Sequence, residues 1–346
     1  MTIMRTVRVV QIAFCLCWEI ASFGCGVIVL TASALCADPA APGEDAFSPA
    51  TADGTSWLYQ LQNADPQEIT ETSFDILVID YSRDGSESGR YSAAEMQTLR
   101  SDSRTVLAYL SVGEAEDYRY YFDSAWVGAL GRPKQAAPCW PGRTNPQWKG
   151  NYKVQYWSEA WQQIVLGYLD KIIDDGFDGV YLDIIDAYEY WSNARNREGL
   201  VLDEEIAAVR MIDLVKRLAL HARVTRGLSD FLVFPQNGEA ILAWDALEAG
   251  DYLATISGIG IEDLYFNGTR PVGASTVTER VVFLDQIKDA GKKVIVTDYV
   301  DDGSGSAGNR ELIDTFRSAA EADGYVPYAA RVDRELDAIN TFPGQP

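Results

Sequence analysis

Three carboxylates fall within the short run Asp178-Gly-Val-Tyr-Leu-Asp183-Ile-Ile-Asp186, and Tyr188, Tyr190 and Trp191 follow directly. The middle of that run is apolar and reads as a buried strand. A bare carboxylate in an interior is costly unless it is paired, hydrogen-bonded or wet, so the strand is expected to end at a polar cleft. The same arrangement recurs along the chain. Asp80 and Tyr81, Glu114 and Glu116, Gln236, Asn237 and Glu239, Glu262 and Asp263, and Asp298, Tyr299, Asp301 and Asp302 each follow an apolar strand-like run. Acids on one rim suit a pair of carboxylates in which one stays protonated and the other ionised, the machinery of glycoside hydrolysis. Oxygen-only coordination of a hard cation is the rival chemistry.

Elimination narrows the field. The only histidine, His221, falls near the end of a predicted helix, where it suits the last carbonyls. A Ser-His-Asp hydrolase and a His-rich zinc site therefore lack their parts. Cys139 has no base beside it in Ala-Pro-Cys-Trp-Pro-Gly, and the glycine-rich stretch Gly303–Gly308 lacks the Gly-Lys-Ser/Thr ending of a phosphate loop. What remains is acid–base or nucleophilic work by Asp and Glu, or oxygen-only coordination of a hard cation.

Such residues need elements that deliver them to one place. Eight strand-like runs are predicted at Trp57–Gln60, Phe74–Tyr81, Thr105–Gly113, Gly179–Ile185, Phe231–Pro235, Tyr252–Ile256, Lys293–Tyr299 and Tyr325–Ala330. Helical patterns lie between them: a Ser92/Glu95 capping box, a helix after Ser158 that stops at Gly176, one opened by Asp203 and one opened by Asn309. Strands alternating with helices imply an α/β fold with parallel pairing, and eight units fit a (β/α)8 barrel forming a single catalytic domain over residues 56–346. An open doubly wound sheet is the alternative, weakened by the lack of Gly-x-Gly-x-x-Gly after the first strand. In a barrel, every strand presents its C-terminal end on one face, where sites are built from the loops.

The N-terminus reads as a targeting segment. Arg5 and Arg8 precede an apolar stretch that ends at Ala34-Leu35-Cys36-Ala37, so residues 1–36 are expected to be a signal peptide, with an uncleaved anchor as the rival, and residues 37–55 a flexible lead-in. A secreted, periplasmic or cell-surface location follows, with membrane contact only if the segment is retained. The formal net charge of −22 repels nucleic acid and attracts cations. A monomer is expected.

Sugar rings present apolar C–H faces, and aromatic residues crowd the segment after the third strand: Tyr118, Tyr120, Tyr121, Phe122, Trp126, Trp140, Trp148, Tyr152, Tyr156 and Trp157. The runs Ala108-Tyr-Leu-Ser-Val-Gly-Glu-Ala-Glu116, Tyr118-Arg-Tyr-Tyr121, Asn151-Tyr152, Tyr156-Trp157, Asp178-Gly-Val-Tyr-Leu-Asp183 and Pro235-Gln-Asn-Gly-Glu239 resemble the endo-α-1,4-polygalactosaminidase family of glycoside hydrolases, family 114. The resemblance implies a (β/α)8 barrel that cleaves α-1,4 linkages in a galactosamine-containing polysaccharide without a metal. Such a polymer is cationic, which agrees with an acidic rim. Asp183 is the expected nucleophile and Glu239 the expected general acid/base, with Glu262 as its rival and an Arg or Lys ion pair as the structural alternative. Asp80, Tyr81, Tyr109, Glu114, Tyr121, Tyr156, Trp157, Asp186, Asn237, Glu262, Asp298 and Tyr299 are expected to bind substrate. A binding barrel without catalysis and a metal-dependent hydrolase are the competing functions.

Overall fold

The computed structural model describes residues 55–128 and 130–341. The segments read as signal peptide and, apart from Thr55, lead-in lie outside the described residues. Among the described residues, no helix is long and apolar enough to cross a membrane.

Eight parallel strands are present: β1 Trp57–Gln60, β2 Ile76–Ile79, β3 Thr105–Ser111, β4 Gly179–Asp183, β5 Leu232–Pro235, β6 Gly258–Glu262, β7 Lys293–Asp301 and β8 Val326–Arg331. Helices α1 Pro66–Thr70, α2 Ala93–Leu99, α3 Glu159–Asp175, α4 Ala187–Ser192, α5 Glu204–Leu220, α6 Ala246–Thr255, α7 Ala274–Asp289 and α8 Ala307–Ala322 fill the connections. The fold is a TIM barrel. Strands β1 to β5 form one parallel ladder and β6, β7 and β8 another. The ladders meet at a bridge between Gln236 and Gly260 and through the Ser257 amide, which donates to the Val233 carbonyl at 2.8 Å. On the other side β1 meets β8 through side chains, where the Trp57 indole donates to the Val326 carbonyl at 3.0 Å.

The barrel interior is aromatic. Tyr59 of β1 and Tyr181 of β4 lie 5.4 Å apart, and Trp57 packs on Tyr59 and on Tyr328 of β8. β1 and β4 are not neighbours in the ladder, so these rings meet across the interior. Large rings demand small residues opposite. A Cβ on Gly260 would come within 1.9 Å of the Tyr181 hydroxyl, and one on Gly258 within 2.2 Å of the Phe234 ring.

Local signals explain the helices. Ser92 and Glu95 form the full capping box, Asp203 accepts from the Glu205 and Ile206 amides, and α3 ends at Gly176 with φ 89°. Helix α8 starts earlier than Asn309 because Ser306 caps it, accepting from the Asn309 amide. The sixth strand differs from expectation. Tyr252–Ile256 is apolar enough to read as a strand, yet Tyr252–Thr255 closes α6, and the true strand is the glycine-bearing Gly258–Glu262. His221 follows α5 and bonds Asp170 at 2.8 Å.

Candidate functional site

Side chains alternate along a strand, and that alternation selects which carboxylates reach the mouth of the barrel. In β4, Tyr181 points inward, so Asp183 two residues on does the same. In β6, Gly260 faces Tyr181, so Glu262 points inward as well. Both line a cavity of about 680 Å³ at the C-terminal ends of the strands, with Asp80, Tyr109, Glu114, Asp186, Asn237 and Tyr299 around them.

Asp183 is held at both oxygens. Its Oδ1 accepts from the Ile184 amide at 2.7 Å and its Oδ2 from the Tyr109 hydroxyl at 2.6 Å. Ile184 has φ 61°, a left-handed conformation costly for a β-branched residue, about 1–3 kcal/mol. Space is made for it by Gly113, where a Cβ would come within 2.2 Å of the Ile184 carbonyl. Glu262 is held by the Tyr299 hydroxyl and by Asn237, whose Nδ2 donates to Oε2 at 3.3 Å while its Oδ1 accepts from the Glu262 amide at 3.0 Å. Asn237 and Asp263 also have positive φ, so three neighbouring strand ends each turn sharply at the cavity. Below them the Tyr59 hydroxyl donates to Gln236 at 3.1 Å.

Among the described residues, neither Asp183 nor Glu262 forms an ion pair with Arg or Lys. The walls differ. Arg119 grips Asp80 at 2.6 and 2.9 Å and Glu116 at 2.6 Å, and Lys153 pairs with Glu114. Burial first, then the charge of Glu262, pushes Asp183 well above the usual carboxylate range. Burial raises Glu262 too, against the hydrogen bonds from Tyr299, Asn237 and Gln236. Two like charges in one cavity oppose each other's ionisation, and the charge of Glu262 accordingly adds to the upward shift of Asp183.

Several expected residues lie elsewhere. Glu239 does not line the cavity; it is buried against the Arg280 guanidinium, which also donates to the carbonyls of Glu262 and Asp263. The ion-pair alternative describes it, and Glu262 takes its place at the cavity. Tyr81 and Asp298 follow Asp80 and precede Tyr299 by one residue, and alternation turns them away. Tyr81 packs on Tyr168 and donates to Glu87, while Asp298 accepts the amides of Leu264, Tyr265 and Phe266. Burial nonetheless raises Asp298 to about 7. Tyr121 packs on Trp161, Tyr156 donates to the Ala207 carbonyl, and Trp157 stands edge-on to Trp191. Of the crowded aromatics only Tyr118 and Trp148 line the cavity, and each is about half exposed, 50% and 53%.

Other wall residues carry weaker sequence signals. Asn145, Asn151 and Lys153 come from a small antiparallel sheet of Glu114–Glu116, Pro141–Thr144 and Asn151–Val154, inserted between β3 and α3. Arg334 comes from the segment after β8. It binds Asp263 at 2.7 and 2.8 Å and lies 4.1 Å over the Tyr299 ring. Among the described residues, no group of three or more His, Cys, Asp or Glu is arranged to hold a metal ion.

The sequence model of glycoside-hydrolase family GH114 matches residues 37–345. An uncharacterised protein of Methanocaldococcus jannaschii is 43% identical over 286 residues, 83% of this chain and 78% of that one. One from Thermotoga maritima is 43% identical over 289 residues, 84% of each. Two solved structures share the fold. The glycoside hydrolase domain of PelA from Pseudomonas aeruginosa has a TM-score of 0.56 at 17% identity, covering 83% of this chain and 96% of that domain. Aspergillus fumigatus Ega3 in complex with galactosamine has a TM-score of 0.55 at 20% identity, covering 82% and 93%.

Proposed function

The chain belongs to glycoside-hydrolase family GH114 and is a glycoside hydrolase, and from that premise we propose that it cleaves α-1,4 linkages in a galactosamine-containing polymer, with Asp183 and Glu262 as its catalytic pair. The observation that carries the assignment is that, among the described residues, these two cavity carboxylates form no ion pair with Arg or Lys. Each hangs inward from a strand end, held by neutral donors and by no cation. A carboxylate already neutralised by arginine, such as Asp80, has little charge left to offer a developing oxocarbenium ion.

Asp183 is assigned the attack, directly or through water, because both its oxygens are fixed by hydrogen bonds. Glu262 is assigned proton transfer to and from the glycosidic oxygen. The substrate class rests on the acidic walls, on the net charge of −22, and on the galactosamine bound by the similarly folded Ega3. Sugar ammonium groups are drawn to such a field.

The reversed assignment, with Glu262 attacking and Asp183 donating, is favoured by one observation: the charge of Glu262 pushes the Asp183 carboxyl up. Asp183→Ala and Glu262→Ala should each lower turnover of a de-N-acetylated galactosamine polymer about 10²–10⁴-fold, and the configuration of the glycosyl azide formed in added azide separates the roles: inverted relative to the substrate where the attacking group is missing, retained where the proton donor is missing. Glu239→Gln should keep most of its turnover while unfolding at lower denaturant, because Arg280 loses its partner at a cost of about 1–3 kcal/mol. A Glu239→Gln protein as inactive as Asp183→Ala, yet folded, would return Glu239 to the mechanism.

A further inference from the structure

A second cleft, of about 280 Å³, lies beside the strand Pro141–Thr144, and its lining includes Arg132, Arg143, Arg197, Gln155, Trp191 and Glu198. Its charge is opposite to that of the rest of the molecule. The chain carries 51 acidic residues against 29 basic ones, yet the three guanidinium groups here form no ion pair among the described residues.

The cleft's own carboxylate does not neutralise them. Glu198 accepts through Oε1 from the Arg143 amide at 3.1 Å and from the Tyr190 hydroxyl at 2.7 Å, a use that fixes the loop and leaves the arginine side chains unpaired. Trp191 forms part of the cleft's lining. It is only 1% exposed, and its indole N–H has no acceptor among the described residues.

We propose that this cleft is an oxyanion site that takes a carboxylate or a phosphate group. Arginine forks match the paired oxygens of either group, and converging positive charges repel one another until an anion joins them. The acidic cavity is a poor host for the same guest, so the two sites sort ligands by sign. They are close in structure. Lys153 of the cavity lies 4.8 Å over the Tyr190 ring, and Tyr190 donates to Glu198 of the cleft. A polymer carrying acid groups beside its amines could be held at both places. The assignment of the cleft does not depend on the catalytic pair.

Calorimetric titration of the full chain with glucuronate, inorganic phosphate and glucose, in a buffer free of other oxyanions, tests the site. Saturable binding of glucuronate or phosphate, with none of glucose, is expected, and affinity should fall about tenfold or more in Arg143→Gln/Arg197→Gln with the circular dichroism spectrum and turnover unchanged. Tighter binding of glucuronate points to an acidic sugar as the source, and tighter binding of phosphate to a phosphoryl group. Arg132→Gln, on the exposed rim, gives a milder second variant should the double one fold poorly. Failure of both anions to saturate, or unchanged affinity in the arginine variants, overturns the proposal.

Discussion

At the scale of single residues, neutral hydrogen bonds hold the two carboxylates Asp183 and Glu262 and work against the upward pull of burial. The Tyr109 hydroxyl donates to Asp183 and so favours its ionised form. Tyr109→Phe removes that donor, so the Asp183 pKa rises further. A pH–rate profile should then shift toward higher pH on its acidic limb if Asp183 attacks, and on its basic limb if Asp183 donates the proton; an unmoved profile would disconnect Tyr109 from the pair. Stability should follow the same sign. Asp183 has a folded pKa raised above its unfolded value, so folding favours its neutral form, and the benefit present below the unfolded pKa is lost as pH rises through the folded one. Asp183→Asn keeps a neutral side chain at every pH. The variant is expected to be inactive yet more resistant to urea than the parent near neutrality, with the difference vanishing in acid. Much of this was legible in the sequence: Asp183, Asp80, Tyr109, Glu114, Asp186, Asn237, Glu262 and Tyr299 all reach the cavity. The rest failed for a simple reason. Tyr81 and Asp298 each stand one step from a cavity residue, and alternation turns them to the opposite face. Glu239 was misplaced because its partner Arg280 is 41 residues away along the chain, a pairing that no local spacing announces.

At the scale of elements, the barrel is a trade between rings and glycines. Seven of the eight strands were legible as apolar runs. The sixth was not, because Gly258-Ile-Gly-Ile-Glu262 lacks the bulk that marks a buried strand. The bulk lies opposite, on Tyr181 and Phe234. Gly260→Ala would set a methyl group against the Tyr181 hydroxyl between two rigid strands, and should cost about 1–3 kcal/mol in a denaturant titration. The position of Glu262 would shift with it, so turnover should fall beyond what the loss of stability explains. An unchanged midpoint would mean that Tyr181 has room to move. The inserted sheet between β3 and α3 was visible only as a crowd of aromatics. Most of those rings are structural: Trp140 packs on Trp161, and Phe122 stacks on Tyr152. They brace the sheet that brings Asn145, Asn151 and Lys153 to the cavity wall.

At the scale of the whole molecule, the surplus of acid creates a field that reaches beyond the cavity. Screening shortens that reach to about 8 Å at physiological ionic strength. On a cationic galactosamine polymer, kcat/KM should therefore fall as salt rises, whereas on a fully N-acetylated, neutral analogue it should change little. Equal salt response on the two polymers would remove long-range steering from the account.

The seam between β5 and β6 gives this architecture a particular latitude. Asp183 belongs to the five-stranded ladder and Glu262 to the three-stranded one, and the join is spanned by the Gln236–Gly260 bridge, by the Ser257 amide on the Val233 carbonyl at 2.8 Å, by the Asn237 side chain and by Arg280, which ties Glu239 to the carbonyls of Glu262 and Asp263. The protein is in this respect a calliper whose two jaws each carry one acid. The opening between the jaws decides whether a water molecule fits behind the sugar, and hence which anomer leaves the enzyme. Asn237 holds the Glu262 carboxylate as well as the join, so an exchange at position 237 would alter the aim of one acid together with the gap between the two.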